Sequence, residues 1–448
     1  MGFFSTIMWN RTGFPSRSVE RDTNDNTIRG RRPMSMVVTI AVAGAGNRGR
    51  AYGGFVSQRP AEVRVVAVAE PDPIRRRKYA EEHGIPEENQ FESWEELLDR
   101  PRLADGIIIA TLDDMHVEPT IQAMEKGYTI LLEKPIAHTW EGTRLIADKA
   151  RETTARVLVA HVLRYTNFYR QLKKLLDRRV IGEPRFVDHV ENIGYWHFAH
   201  SYVRGNWRNT DVAAPIVLAK TCHDFDLLYW LFGSRCQTVF SNASLVHFTE
   251  QSKPEGAGER CLDCKIEAQC PYSARKIYIN DNSGWPVSVI TEDLSFAGRY
   301  HALKEGPYGR CVYSCDNNVP DVQTVSMRFD GNLEINMALT AFSEKINRIT
   351  RIYGTHGEIH ADFSDGVIEI HRFGESKQVI TVNEAAGGHG GGDFGLMRDF
   401  VRLLRGEELH DDLTYLEDSI ESHIMAFAAE QSRYEQRVVD LDDWRAAR

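Results

Sequence analysis

The chain is poor in cysteine, with seven in 448 residues. That excludes a fold built chiefly on disulfides. No apolar run approaches the ~20 residues needed to cross a bilayer, so no membrane partner is expected. A basic surplus is also missing, since 54 Lys and Arg face 64 Asp and Glu for a net charge of −10. Binding to a phosphate backbone needs positive surface, so nucleic acid is not expected as a partner. Internal repeats are absent as well. What is present is ordinary globular material, 42% hydrophobic and 26% charged, enough for two domains with separate cores.

Residues 1–36 differ from the rest. The stretch NRTGFPSRSVERDTNDNTIRGRRP is polar, aperiodic and carries Gly and Pro, and it reads as a disordered extension. MGFFST fits the loose N-myristoylation pattern through Gly2 and Thr6, a pattern short enough to arise by chance. Arg31 and Arg32 precede an apolar segment, as in a twin-arginine export signal. That segment is needed as the first strand of the fold, so cleavage there would destroy the domain. Met34 or Met36 is an alternative start, and the expected compartment is the cytoplasm.

The fold begins at VVTIAVAGAGNRG. Val37 to Ala43 is a continuous, β-branched apolar run, as in a parallel strand buried on both faces. Gly44, Gly46 and Gly49 follow as G-x-G-x-x-G, with Asn47 and Arg48 between them. The first glycine permits the turn, the second admits a pyrophosphate, and the third lets the helix pack on the strand. A helix N-terminus then offers free N–H groups to the phosphates. The next strand, VRVVAVAEPD, carries Glu70, placed to bond the adenosine ribose. A carboxylate there accepts from a 2′-hydroxyl and repels a 2′-phosphate, so NAD is expected over NADP. Arg75, Arg76 and Arg77 read as the polar face of the following helix. Three more strands alternate with helices, which predicts a doubly wound parallel sheet over 37–160. Ligands bind beyond the carboxyl ends of such strands. Thr111 and His116 follow one end, Glu133 and Lys134 occupy the next, and Arg164 follows the last. These residues are expected at the cofactor. Lys134 is expected to reach the substrate too.

The Glu133-Lys134-Pro135 triplet, after the glycine motif and the Thr111…His116 turn, resembles the family of glucose–fructose oxidoreductase, inositol dehydrogenase and MocA. The likeness spans about residues 36–440. It implies a Rossmann domain followed by an α/β domain, 161–440, with a large, mostly antiparallel sheet. It also implies NAD(P)-dependent redox chemistry on a sugar or cyclic polyol, with Lys134 touching nicotinamide and substrate, and a homodimer or homotetramer. Leu112 and Asp113 stand where the family often has Pro and Asn.

In APIVLAKTCHDFDLLYWLFG, Lys220, His223 and Asp226 fall at i, i+3 and i+6 on an otherwise apolar helix, and need a polar cavity or a partner. The resemblance aligns this helix with D-x-G-x-H-x-x-D. His223 takes the place of the catalytic histidine and Asp226 that of the trailing acid. Ala219 replaces the upstream acid, Thr221 the glycine, and Lys220 is new. His223 is therefore expected as acid–base, tuned by Lys220, and the resemblance implies that this helix faces the substrate, with Lys220 and Asp226 among the substrate-binding residues. Upstream, Tyr195, His197 and Arg204 lie in an aromatic, basic stretch suited to sugar hydroxyls and C–H faces; core packing is the competing reading.

The cysteines cluster in an insertion at about 250–316. Cys261, Cys264 and Cys270 lie on one side, Cys311 and Cys315 on the other. A closed structural zinc site is expected, with Cys311 or Cys315 as fourth ligand. An iron–sulfur cluster or plain reduced cysteines stay open. DGNLEINMAL and its neighbours read as hairpin strands, and GGHGGGDFG as a substrate-side loop. Two other functions stay open. One is a glycosidase that retains NAD and cycles it, marked by net hydrolysis; the other is a non-catalytic NAD sensor, marked by no turnover.

Overall fold

The computed structural model describes residues 37–448 apart from 212, 408, 410 and 411. The extension and its targeting motifs lie outside the described residues.

The first domain alternates as its sequence demands. Its elements are β1 Val38–Ala43, α1 Asn47–Ser57, β2 Val63–Ala69, α2 Pro73–His83, β3 Gln90–Phe91, α3 Trp94–Asp99, β4 Gly106–Ile109, α4 Val117–Glu125, β5 Thr129–Leu132, α5 Trp140–Thr153 and β6 Val157–Val159. The strands form one parallel sheet in the order β3-β2-β1-β4-β5-β6. β4 and β5 are buried along their whole length, which explains runs without polar alternation. The sheet has six strands where the pattern predicts five. β3 is two residues long, too short to leave a period.

α6, Asn167–Asp177, leads into a nine-stranded sheet. Its strands are β7 Pro184–Asn192, β8 Cys236–Ser244, β9 Val322–Phe329, β10 Leu333–Thr340, β11 Asn347–Gly354, β12 Gly357–Asp362, β13 Val367–Arg372, β14 Gln378–Thr381 and β15 Val439–Asp440. The order is β14-β13-β12-β11-β7-β10-β9-β8-β15, and only β7 and β10 run parallel. Helices Cys222–Phe232 and Leu416–Glu435 bury Phe225, Leu228, Met425 and Ala428 in one core with Val325, Met327 and Ile335 of the sheet. The opposite face alternates outward, as β9 and β10 show.

The two domains are not consecutive halves. Helix Gly392–Leu404 returns to the first domain, where Leu396, Met397 and Phe400 pack with Val38, Ile40 and Val42. The insertion between β8 and β9 has its own core, built from aromatics including Phe248, Tyr272 and Tyr278.

Candidate active site

The glycine loop is tight on two sides and open on the third. Gly44 has φ +94°, and a Cβ there would lie 2.4 Å from the Ala110 carbonyl oxygen. A Cβ on Gly49 would lie 2.1 Å from the Gly44 oxygen. One on Gly46 would meet nothing within 4 Å. α1 starts at Asn47 with no side chain capping its first turn, so N–H groups remain free for an anion. Buried Glu70 closes β2. Its carboxylate accepts from the Ala45 N–H at 2.9 Å, the Asp72 N–H at 3.1 Å and Arg75 Nη1 at 3.2 Å. Glycines, helix end and acid together fit a dinucleotide.

Beyond this loop a cleft of about 510 Å³ opens between the domains. Asn47, Arg48, Glu133 and Lys134 line it from one side, His197, Lys220 and His223 from the other. Lys134 is braced. Its Nζ donates to the Ala219 carbonyl at 2.9 Å and stands 5.2 Å from the centre of the Trp207 ring. His116 is held in place, its Nδ1 2.7 Å from the Pro135 carbonyl oxygen and its Nε2 3.3 Å from that of Thr111. The Ile136 N–H donates to His423 Nε2 at 2.8 Å. Thr111 itself donates to the Met115 carbonyl. The Glu133-Lys134-Pro135 turn is thus fixed from both domains.

Glu133 is an anchor for Arg48. Arg48 Nε donates to it at 2.6 Å and Tyr52 Oη donates to it as well. Burial alone would raise the Glu133 carboxyl, but Arg48 and Lys134 outweigh it and hold it below the usual range. Arg48 also forks onto Asp393 at 2.8 and 3.1 Å. Asp393 belongs to the glycine-rich GGHGGGDFG stretch, and it lines the cleft together with His389. The stretch therefore lies at the site, as its sequence suggested. The Arg48–Asp393 pair was not legible, because 345 residues separate its partners.

His223 is buried and sits 5.7 Å from the His161 ring. Its Nδ1 has no hydrogen-bond partner within the described residues. Burial, then Lys134 and His161, push it well below the ordinary 6.5. The imidazole is thereby held neutral, with a ring nitrogen open to a hydrogen bond from a hydroxyl.

Several expected placements are corrected. Lys220 does not share a helix with His223, since one helix ends at Ala219 and the next begins at Cys222. Lys220 Nζ pairs with buried Glu191 at 3.1 Å, and burial lowers its pKa. Of the cations near His223, Lys134 lowers it most and Arg348 adds to this. Arg164 and Asp226, assigned to cofactor and substrate, hold each other in a buried fork at 2.5 and 2.7 Å and lie outside the cleft lining. Arg204 faces the insertion, donating to the Arg310 and Tyr272 carbonyls at 2.8 Å each. Tyr195 packs on Tyr272 there, also away from the cleft. Of that aromatic stretch, His197, Tyr202 and Trp207 reach the cleft. The sequence also gave no cue for Arg348, which lines the cleft while bonding Asp224 at 2.7 Å and Glu191 at 2.9 Å.

In the insertion, Cys261, Cys264, Cys270 and Cys311 line one small cavity with Arg204. Antiparallel pairing of Arg260 with Arg310 brings the two cysteine segments together. The Gly258 N–H donates to Cys264 Sγ at 3.4 Å and Arg204 Nη2 to Cys261 Sγ at 3.5 Å. Cys315 turns to the Cys311 carbonyl. Among the described residues no three cysteine sulfurs lie within 4.8 Å of one another; the group that does is His360, Glu369 and His371.

A parallel six-stranded sheet with an open glycine cradle, an acid at the end of β2 and a lysine–histidine cleft define an NAD-binding oxidoreductase. The chain belongs to the Gfo/Idh/MocA oxidoreductase family: residues 38–161 match its NAD-binding Rossmann fold and residues 173–441 its C-terminal alpha/beta domain. YteT of Bacillus subtilis is 25% identical over 355 residues, covering 75% of this chain and 81% of YteT. Inositol 2-dehydrogenase of Ralstonia nicotianae is 28% identical over 248 residues, 53% of this chain and 69% of that protein. The structure of scyllo-inositol dehydrogenase from Lactobacillus casei, with bound NAD(H) and scyllo-inositol, shares the fold at a TM-score of 0.63 and 13% identity, over 91% of this chain and all of that one. No described helix is long and apolar enough to cross a membrane.

Proposed function

We propose that the protein transfers a hydride between NAD and a carbinol carbon of a sugar, sugar derivative or cyclic polyol. The observation that carries this reading is the convergence of Lys134 and His223, from different domains, in one cleft beside the open glycine cradle. Gly44 to Gly49 and the N-terminus of α1 would hold the pyrophosphate, and Glu70 the adenosine ribose. The nicotinamide, when bound, supplies the hydride acceptor or donor. Hydride leaves a carbinol only as its hydroxyl proton departs, so a base must lie within hydrogen-bond reach. His223, neutral through burial, takes that proton. Lys134 positions the hydroxyl and stabilises negative charge on its oxygen. His197 and Trp207 offer a hydrogen-bonding edge and an apolar ring to a polyhydroxylated substrate. The sugar or polyol class follows the relatives named above. The test is a panel of sugars and cyclic polyols watched by nicotinamide absorbance, with release of aglycone from glycosides measured in parallel. Reduction of NAD supports the reading. Net hydrolysis with NAD retained, or no turnover on any member, overturns it.

Preference for NAD over NADP belongs to the same reading and rests on Glu70. So do a cytoplasmic location and a homodimer or homotetramer, for which the outward face of the nine-stranded sheet is available.

We infer in addition that the insertion holds a metal through Cys261, Cys264, Cys270 and Cys311. Arg204 supports this, because it is almost wholly buried, lines the cavity, and has an Nη1 with no described partner. A buried guanidinium is stabilised by anionic thiolates. Zinc is the expected ion and would draw the sulfurs to about 3.8 Å from one another, given bonds of about 2.3 Å. The wider spacing favours a second reading, an iron–sulfur cluster, whose ligands stand further apart. Elemental and sulfide analysis of anaerobically purified protein decides: zinc near one per chain supports the first, iron with sulfide the second, and neither overturns both.

A further inference from the structure

We propose that Glu292, in the cysteine-bearing insertion, is a cofactor-selecting residue: its carboxylate fills a cationic pocket beside Glu70 and keeps out the 2′-phosphate of NADP. This deepens the NAD reading and rests on it.

In a Rossmann fold the adenosine ribose lies at the end of β2, where an acid suits a free 2′-hydroxyl and a nearby arginine suits a 2′-phosphate. This chain has both, with Arg75 Nη1 only 3.2 Å from Glu70. Arg75 also has company. Arg50 from α1 and Lys78 from α2 converge on the same point. Three cations gathered at one point, one of them bonded to Glu70, are the ingredients of a phosphate site. Their common partner is one carboxylate from a distant segment, between helices Val287–Ile290 and Phe296–Glu305. Glu292 accepts from Arg50 Nη2 at 2.8 Å, Lys78 Nζ at 3.2 Å and Arg75 Nε at 3.4 Å. Its backbone carbonyl accepts from Lys78 at 3.1 Å. The side chain is 15% exposed. Burial opposes its charge, but Arg50, Lys78 and Arg75 more than offset this and hold the carboxyl below its usual range. The pocket is therefore filled by an anion that belongs to the chain. An incoming 2′-phosphate meets Glu70 and Glu292 together, and must displace the second to reach any of the three cations. A free 2′-hydroxyl has no such cost.

The competing account is that Glu292 only fastens the insertion to the first domain. The two differ in one readout. A fastener, once removed, weakens NAD and NADP alike. A selector changes their ratio. Dissociation constants for NAD and NADP are measured by calorimetry on the full chain, for wild type, Glu292→Gln and Glu292→Asp, with thermal melts to confirm folding. Glu292→Gln is expected to shift the NADP to NAD affinity ratio toward NADP by about tenfold or more, and to steepen the salt dependence of NADP binding, because a freed cation cluster now meets the phosphate. Glu292→Asp keeps the charge and is expected to stay near wild type. Adding Lys78→Met to Glu292→Gln is expected to remove part of the gain while leaving NAD affinity within a few-fold, since Lys78 bonds Glu292 and not Glu70. A ratio in Glu292→Gln within about twofold of wild type overturns the proposal. Failure of wild type to bind NAD at all is a different result, and overturns the NAD reading beneath it.

Discussion

Lys134 is the residue on which the chemistry turns, and its neighbours explain why it is held rather than solvated. Its ammonium faces a carbonyl and an indole, and its backbone N–H donates to Glu133 at 3.0 Å. Glu133, Lys134 and the three glycines were legible in the sequence because each sits beside a strand end, where local pattern fixes position. Asp226 was not. A carboxylate three residues from His223 looks like part of the site until Arg164, 62 residues away, is seen to hold it. Lys220 does line the cleft, but the helical spacing to His223 misled, since Lys220 lies between two helices and pairs with Glu191 of β7. Glu70 gives a prediction at this scale. Glu70→Ala should narrow the preference for NAD over NADP, as read from paired dissociation constants, and wild type binding NADP the more tightly would remove Glu70 from its role.

At the scale of elements, the alternating strands and helices of the first sheet follow from continuous apolar runs ended by Gly, Pro and acidic caps. Asp72 caps α2 and Thr139 caps α5 through their side chains. The second sheet was legible in its hairpins but not in its order, because β7 and β10 pair in parallel across about 140 residues of intervening chain. On its other side β7 is tied by charge to β11 and to the helix beneath. Arg348 on β11 joins Glu191 on β7 to Asp224 on helix Cys222–Phe232, with His189 2.9 Å from Asp224. All four side chains are buried. Removing the arginine leaves two buried carboxylates without their main partner, a loss that typically costs about 3–5 kcal/mol. Arg348→Met should therefore lower the denaturant midpoint of the second domain by that measure. A midpoint unchanged from wild type would show that the network carries no such load.

Across the whole molecule, buried histidines set the response to acid. Burial, with nearby cations, holds His161, His197 and His223 well below 6.5 and His200 and His423 at about 3. Each binds its proton more readily unfolded than folded. Their contribution is fully present above the unfolded value near 6.5 and is lost as pH falls below it, by up to about 1.4 kcal/mol per pH unit for each group. Melting temperature should fall from pH 7 to pH 5, and His423→Asn should flatten the slope; a flat profile in wild type would contradict the burial of these rings. The same neutrality should leave substrate oxidation free of an acid limb until well below pH 6.5. The central claim is that two residues from two domains meet over one carbinol. Single-turnover hydride transfer in Lys134→Met and His223→Ala, on a substrate from the panel, tests it most directly. Each variant should lose about a hundred-fold or more in rate while its NAD affinity stays close to wild type, because the glycine cradle is untouched. Near-normal rates in both would contradict the account and leave Lys134 a charge at the end of a strand.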